Sequence, residues 1–216
     1  MHLTRNEMPK TWPIERKGTK YLAVASHDKA RAIPLVFVLR DMLKLVKTNK
    51  EAKYFVLNKN VSINNKIRVN EKFPIRVYDS ISFEKTGKNY RLVIENKKLS
   101  LKEISEKEAE KKIVKVIGKK VLEKGKIQIN LDDGHNFLSK EKVSVGDSVL
   151  LNTKEMKIEK IISLKVGANV EIILGKHLGQ KGKLKGIEEL ARGKRYIVQL
   201  NKQEVELPLK TLLVVE

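Results

Sequence analysis

The sequence predicts an α+β, multi-domain fold: a small helix-and-sheet module, then a central antiparallel β domain, then a small carboxy-terminal β-barrel. Three observations carry this expectation. Apolar residues recur at helical spacing between Pro34 and Val46, then switch to strict alternation from Val61 onward. Beyond Val114 the apolar runs are short and are separated by Gly and Asp-Gly turns, the spacing of a small antiparallel sheet or barrel. No low-complexity run interrupts the pattern, and 41% hydrophobic residues suffice for real cores.

Residues 1–30 hold no sustained period, because Pro9, Pro13 and Gly18 break any helix that starts there. They are expected to form an extended basic arm with Arg5, Lys10, Trp12, Arg16, Lys17 and Lys20 facing outward. Trp12, the single tryptophan, should be buried against the protein's own body or against a partner.

Residues 31–95 form the helix-and-sheet module. Val36, Leu39, Leu43 and Val46 give a first helix from Pro34 to Val46 its core face, and Arg40, Lys44 and Lys47 share a neighbouring cationic stripe. Thr48-Asn49-Lys50-Glu51 has the form of a capping box, so a second helix should start near Asn49 and run through Leu57. Lys50, Lys53 and Lys59 extend the positive surface. Val61 and Ile63, then Ile67 and Val69, flank Asn64-Asn65, a pair that tolerates the positive φ of a tight hairpin. A further hairpin is signalled by Ser80 to Phe83 and Tyr90 to Ile94 around Thr86-Gly87-Lys88-Asn89.

Residues 96–165 begin with a charged connector to 112, in which Ser105 with Glu108 resembles another capping box and i, i+4 pairs suggest a solvated helix face. Strands follow at Val114 to Val116, Ile127 to Leu131, Val143 to Leu151 and Lys157 to Ile162, with turns at Gly125, Asp132-Asp133-Gly134 and Gly146-Asp147. Residues 166–216 add a glycine-rich loop and strands at Tyr196 to Leu200 and Val205 to Leu207.

Charge points to the partner. The chain has 46 Lys and Arg against 26 Asp and Glu, a net +20, and half of that excess sits in residues 31–100. Lys and Arg that neutralise phosphates release condensed counterions, so nucleic acid rewards such a charge most generally and a membrane surface comes second. No apolar run approaches the roughly 20 residues of a membrane span, and the opening Met1 to Arg5 has no apolar stretch of a secretory signal. With no cysteine, disulfides, thiol catalysis and thiolate metal sites are excluded together, which fits a reducing, cytosolic setting. His2, His27, His135 and His177 are scattered, without metal-ligand spacing. Asp132-Asp133-Gly134-His135-Asn136 lacks the spacing of a calcium loop and reads as a turn. The loop 175–182 is not a nucleotide-binding P-loop, since His177 stands where the first glycine belongs and Leu184 where Ser or Thr should be.

Ile33 to Phe83 resembles the small RNA-binding module first known from bacterial ribosomal protein S-four, two helices beside a short sheet. The resemblance is carried by Val38-Leu39-Arg40, Glu51-Ala52, Val61-Ser62-Ile63-Asn64-Asn65-Lys66 and Asp79-Ser80-Ile81, with Asn65 where the pattern usually has glycine. Gly167, Val170, Ile172, Gly175, Gly179, Gly182 and Leu184 resemble the KOW motif, a loop between two strands of an SH3-like barrel. Glycines at 179 and 182 would let the loop backbone approach phosphate while Lys176, His177, Lys181 and Lys183 supply charge; Leu178 replaces the motif's usual lysine.

In this order the modules resemble one family through nearly the whole chain, the archaeal and eukaryotic small-subunit ribosomal protein S-four-e. His2-Leu3, Arg5, Pro9-Lys10 and Trp12 match its arm, and Leu39-Arg40, Asp79-Ser80-Ile81 and Lys85-Thr86-Gly87-Lys88-Asn89-Tyr90-Arg91-Leu92 match its body. The chain begins almost at the arm and ends at Glu216 without the basic tail of eukaryotic members, which points to an archaeal form. The resemblance implies a cytoplasmic structural constituent of the small ribosomal subunit that binds and stabilises small-subunit ribosomal RNA beside neighbouring ribosomal proteins, supporting assembly and translation. It implies no catalysis, cofactor, metal, membrane or small-molecule substrate. The RNA-binding residues expected are Arg5, Lys10, Trp12, Arg16, Lys17, Arg40, Lys44, Lys47, Lys50, Lys53, Lys59, Asn64, Lys66, Lys176, His177, Gly179, Lys181, Gly182 and Lys183. Two other readings stand beside this one: an RNA-modifying enzyme with an appended RNA-binding module, for which residues 101–216 leave no catalytic domain, and a free transcription or translation factor.

Overall fold

Pro9, Pro13 and Gly18 leave the first thirty residues no helix beyond one 3₁₀ turn at Arg5–Glu7, and the chain there folds back on itself: β1 (Leu3–Thr4) pairs antiparallel with β2 (Tyr21–Leu22). The computed structural model describes residues 2–84, 86–122, 126–139, 141–190, 193–200 and 203–215. The expected turn at Gly125 and the matching residue Lys85 lie outside them. The chain divides into two compact units, Met1–Glu110 and Lys111–Glu216.

In the first unit the arm is not extended. Trp12 is 4% exposed and its ring lies 5.3 Å from that of Phe37, while the Leu99 N–H donates to the Thr11 carbonyl at 2.8 Å. The protein's own body covers the tryptophan. β3 (Ile33–Pro34) leads into α1 (Leu35–Phe37), which continues as a wider π-helical turn through Val38–Met42. This helix was expected to reach Val46, but it stops four residues early. The Leu43 and Leu45 N–H groups close on the Val38 and Leu39 carbonyls, both at 2.9 Å, and Lys44 takes φ +54°. Val46 is still buried, from a loop, so burial produced the apolar spacing without a helix beneath it. α2 (Asn49–Leu57) starts where expected, with the Thr48 hydroxyl accepting from the Glu51 N–H at 3.2 Å.

β4 (Val61–Ile63) and β5 (Lys66–Ile67) are joined by Asn64-Asn65 at φ +50° and +60°, the two left-handed residues a two-residue hairpin requires. β6 (Pro74–Ile75) pairs with β3. β7 (Ser80–Phe83), β8 (Asn89–Glu95) and β9 (Lys98–Ile104) complete an antiparallel five-stranded sheet in the order β5-β4-β7-β8-β9. The charged connector is therefore largely strand: β9 turns back on β8 through Asn96-Lys97, at φ +50° and +63°. Only one helical turn, α3 (Glu106–Ala109), carries the predicted Ser105–Glu108 capping box. Ile63, Ile75, Ile81, Leu92 and Phe37 are fully buried.

In the second unit, β10 (Lys111–Val121), β11 (Ile127–Leu131), β12 (Asn136–Ser139), β13 (Ser148–Asn152) and β14 (Lys157–Ile162) form an antiparallel sheet in the order β12-β11-β10-β13-β14. Val114, Val116, Ile129, Leu131 and Val149 make its core. β15 (Asn169–Ile172), β16 (Lys181–Leu190), β17 (Gly193–Gln199), β18 (Glu204–Pro208) and β19 (Leu212–Val214) form another, ordered β18-β17-β16-β15-β19, over Val170, Ile172, Leu184, Val198 and Leu212. The fold is mostly β, with less helix than an α+β reading expects.

Candidate nucleic-acid interface

Two of the three arginines expected to face a polyanion, Arg5 and Arg40, have work inside the protein. Arg5, expected outward, is half-buried: its Nε donates to the Thr19 carbonyl at 2.8 Å, Nη2 to the Thr19 hydroxyl at 3.1 Å, and Nη1 to the Glu15 carbonyl. It pins the folded-back arm. Arg40 lies over the Phe37 ring, forks onto the adjacent Asp41 and donates from Nη1 to Asn49 Oδ1 at 2.8 Å, so it braces the first helix to the start of α2. Trp12 offers no ring to a base.

Lys10, Arg16 and Lys17 on the arm are exposed. So are Lys47, Lys50 and Lys53, and the helical spacing of Lys50 and Lys53 places them together on one side of α2. Glu51, the acid among them, is tied to the helix start: its Oε2 accepts from the Lys47 N–H at 2.8 Å, which holds the carboxyl below its ordinary range. Tyr54, one position beyond Lys53, is 71% exposed. Lys44 and Lys59 sit in left-handed turns beyond the ends of the two helices, so the stripe read as Arg40, Lys44 and Lys47 is not one helical face.

Asn64 was read as a contact and is a structural tie instead. Its Nδ2 donates to Asp79 Oδ1 at 2.9 Å, its Oδ1 accepts from the Ser80 N–H at 3.0 Å, and its own N–H donates to the Ser80 carbonyl at 3.0 Å. The hairpin tip is thus locked to β7, leaving Lys66 exposed at its far side.

In the second unit Lys176, Lys181 and Lys183 are exposed, and the His177 ring lies 3.1 Å from Gln180 Oε1. Lys181 Nζ is 3.9 Å from the buried Glu171. Gly179, at φ +78°, gives its N–H to the Ile172 carbonyl at 2.7 Å, so that donor is used within the loop. Gly182 is not in the loop at all. It lies inside β16, where a Cβ would stand 2.5 Å from the Gln199 carbonyl oxygen, so its bareness serves strand packing. Leu178 is buried, which accounts for an apolar residue at that position.

Arg68 escaped the sequence reading. It lies past the end of β5, where no period marks it, yet its guanidinium sits over the Phe73 ring 4.3 Å from the centroid. Among the described residues no group of His, Asp and Glu could hold a metal, and no helix is long and apolar enough to cross a membrane.

Comparison with known proteins fixes the kinship. Residues 86–158 match the model of "Ribosomal family S4e". The small ribosomal subunit protein eS4 of Methanosphaera stadtmanae is 37% identical over 94% of this chain and 86% of its own length. That of Pyrobaculum islandicum is 34% identical over 94% of this chain and 90% of its own. The crystal structure of the 30S ribosomal protein S4e from Thermoplasma acidophilum superposes with a TM-score of 0.74 at 27% identity, covering 87% of this chain and 96% of that one. A basic, multi-sheet protein with such kin over 94% of its length falls in the class of ribosomal proteins. The chain belongs to the ribosomal family S4e.

Proposed function

We propose that this protein is a structural constituent of the small ribosomal subunit, where it binds and stabilises small-subunit ribosomal RNA without performing a reaction. The observation that carries the reading is the concentration of positive charge in residues 31–100, displayed by exposed Lys47, Lys50, Lys53 and Lys66 around a short helix and hairpin of the family's fold. Counterion release from RNA phosphates favours such a surface. In this reading the module at 31–95 is the principal RNA clamp, and the sheet at 166–216 works as a KOW barrel through Lys176, Lys181 and Lys183. The arm at 1–30 adds Lys10, Arg16 and Lys17, the segment 96–165 supplies a charged connector and the central β domain, and neighbouring ribosomal proteins complete the surroundings.

Co-sedimentation tests it. The protein should travel with small subunits in high salt and protect a defined set of ribosomal RNA positions; loss from the particle at moderate salt, with equal affinity for unrelated structured RNA, would indicate a free or generic RNA-binding factor instead.

A further inference from the structure

Two arginines of the first unit lie over aromatic rings, and they differ in one respect. Arg40, over Phe37, is ion-paired with Asp41 at 2.9 Å. Arg68, over Phe73 at 4.3 Å, has no carboxylate partner among the described residues, and its Nε is buried without a hydrogen bond. Arg76, a few residues further on, is ion-paired with Asp28. Arg68 is partly exposed, and among the described residues no protein group engages its terminal amines.

The platform beneath it is held from two stretches of chain. His27 meets the Phe73 ring edge to face at 5.6 Å, its Nδ1 lies 3.0 Å from the Ser26 hydroxyl, and the Ser26 N–H donates to the Lys72 carbonyl at 2.9 Å. The Phe73 carbonyl accepts from the Leu35 N–H at 2.9 Å, and the Lys72 N–H is fixed on Asn70 Oδ1 at 2.8 Å. A guanidinium held over a fixed ring has already lost much of its rotamer freedom, so an anion reaching its fork meets a preorganised donor pair.

We propose that Arg68, held over Phe73 and lying in sequence between the exposed Lys66 and Lys72, is a preformed contact for a phosphodiester of the RNA backbone. This rests on the RNA-binding function proposed above and adds a site on the loop after β5 to the lysines of α2. The alternative is that Arg68 merely covers Phe73 with its stem.

Filter binding to a small-subunit ribosomal RNA transcript across a salt series separates the two. R68M keeps an unbranched stem over the ring and removes the charge; it should melt as the wild type does, bind about tenfold more weakly, and flatten the logarithmic salt slope by about one. R68K preserves charge and fold but not the fork, and should also bind several-fold more weakly, at an unchanged slope. Wild-type affinity in R68K, or in a natively melting R68M, overturns the proposal. A Lys47, Lys50 and Lys53 to Glu variant serves as control. If it loses binding while both Arg68 variants keep it, this site alone is wrong; if the wild type itself does not bind, the proposed function falls and the site with it.

Discussion

The Lys115 ammonium donates to the Leu212 carbonyl at 2.7 Å, joining the long strand β10 of one sheet to the closing strand β19 of the other within the second unit. It also donates to the Leu209 carbonyl, and Lys115 is 7% exposed. A second tie runs alongside, from the Val214 N–H to the Ser148 hydroxyl at 3.1 Å. The Lys115 charge serves two carbonyls at either end of a 3₁₀ turn (Leu209–Thr211), that of Leu212 and that of Leu209, which also accepts the Leu212 N–H.

Lys115→Met should therefore destabilise the second unit by about 1–3 kcal/mol, because the buried Leu212 carbonyl loses its charged donor and the part-buried Leu209 carbonyl loses one of two donors. Hydrogen exchange across β10 and β19 measures it, with the amides of both sheets expected to lose protection together. Unchanged protection would show the ammonium to be dispensable.

Reversing Lys47, Lys50 and Lys53 to Glu should weaken ribosomal RNA binding on the order of 100-fold and flatten the salt slope. Lys98, Lys102 and Lys107, also exposed in the first unit, form the matched control. Equal loss in both triples would mean that net charge, and not α2, governs binding.

Gly182→Ala should cost at least about 1–3 kcal/mol of stability, since its Cβ would press on the Gln199 carbonyl in the neighbouring strand. Lys176→Ala and Lys183→Ala, by contrast, should leave the melting temperature unchanged and weaken RNA binding. A stable alanine variant at 182 would remove the packing explanation for this glycine.

Acid should reach the second unit through Asp133. Burial pushes its carboxyl up, but Lys112 at 3.2 Å, with the backbone N–H and ring of His135, outweighs this and holds it below the ordinary range. Because the folded value lies lower, the stabilisation is complete above the unfolded pKa of about 4 and is lost as pH falls through the folded value. Urea melts between neutral pH and pH 3 should show that acid limb flattened in Asp133→Asn, which is also less stable at neutral pH because the buried Lys112 loses the Asp133 charge.

Trp12 makes the arm measurable. As the single tryptophan, packed against Phe37, it should emit at short wavelength in the isolated protein, and Trp12→Ala should cost about 3–5 kcal/mol in the first unit. Emission typical of solvent-exposed indole would contradict the folded-back arm.

Much of this was legible in the chain because it is local. Thr48 and Glu51, Ser105 and Glu108, and Asn64-Asn65 each announce a helix start or hairpin through bonds made within a few residues. Distance in sequence hid the rest. Nothing near Asn64 tells that its amide belongs to Asp79 and Ser80, nor that Gly182 faces Gln199, nor that Arg68 has a ring beneath it. The helix expected to Val46 ended early because apolar spacing records burial, which a loop can also supply, and the charged connector hid β9 because its i, i+4 charge pairs are equally compatible with an exposed strand.

The strand orders have a kinetic consequence. Apart from β3–β6, β4–β7, β10–β13 and β15–β19, every pairing joins strands consecutive in sequence, and each unit is one uninterrupted stretch of chain. Hairpins of this kind close short loops, so their formation loses little chain entropy and proceeds early. The first unit contains every partner its sheets require, so it can complete its fold before residues 111–216 have been synthesised, and a nascent chain halted near position 150 should already resist protease up to Glu110.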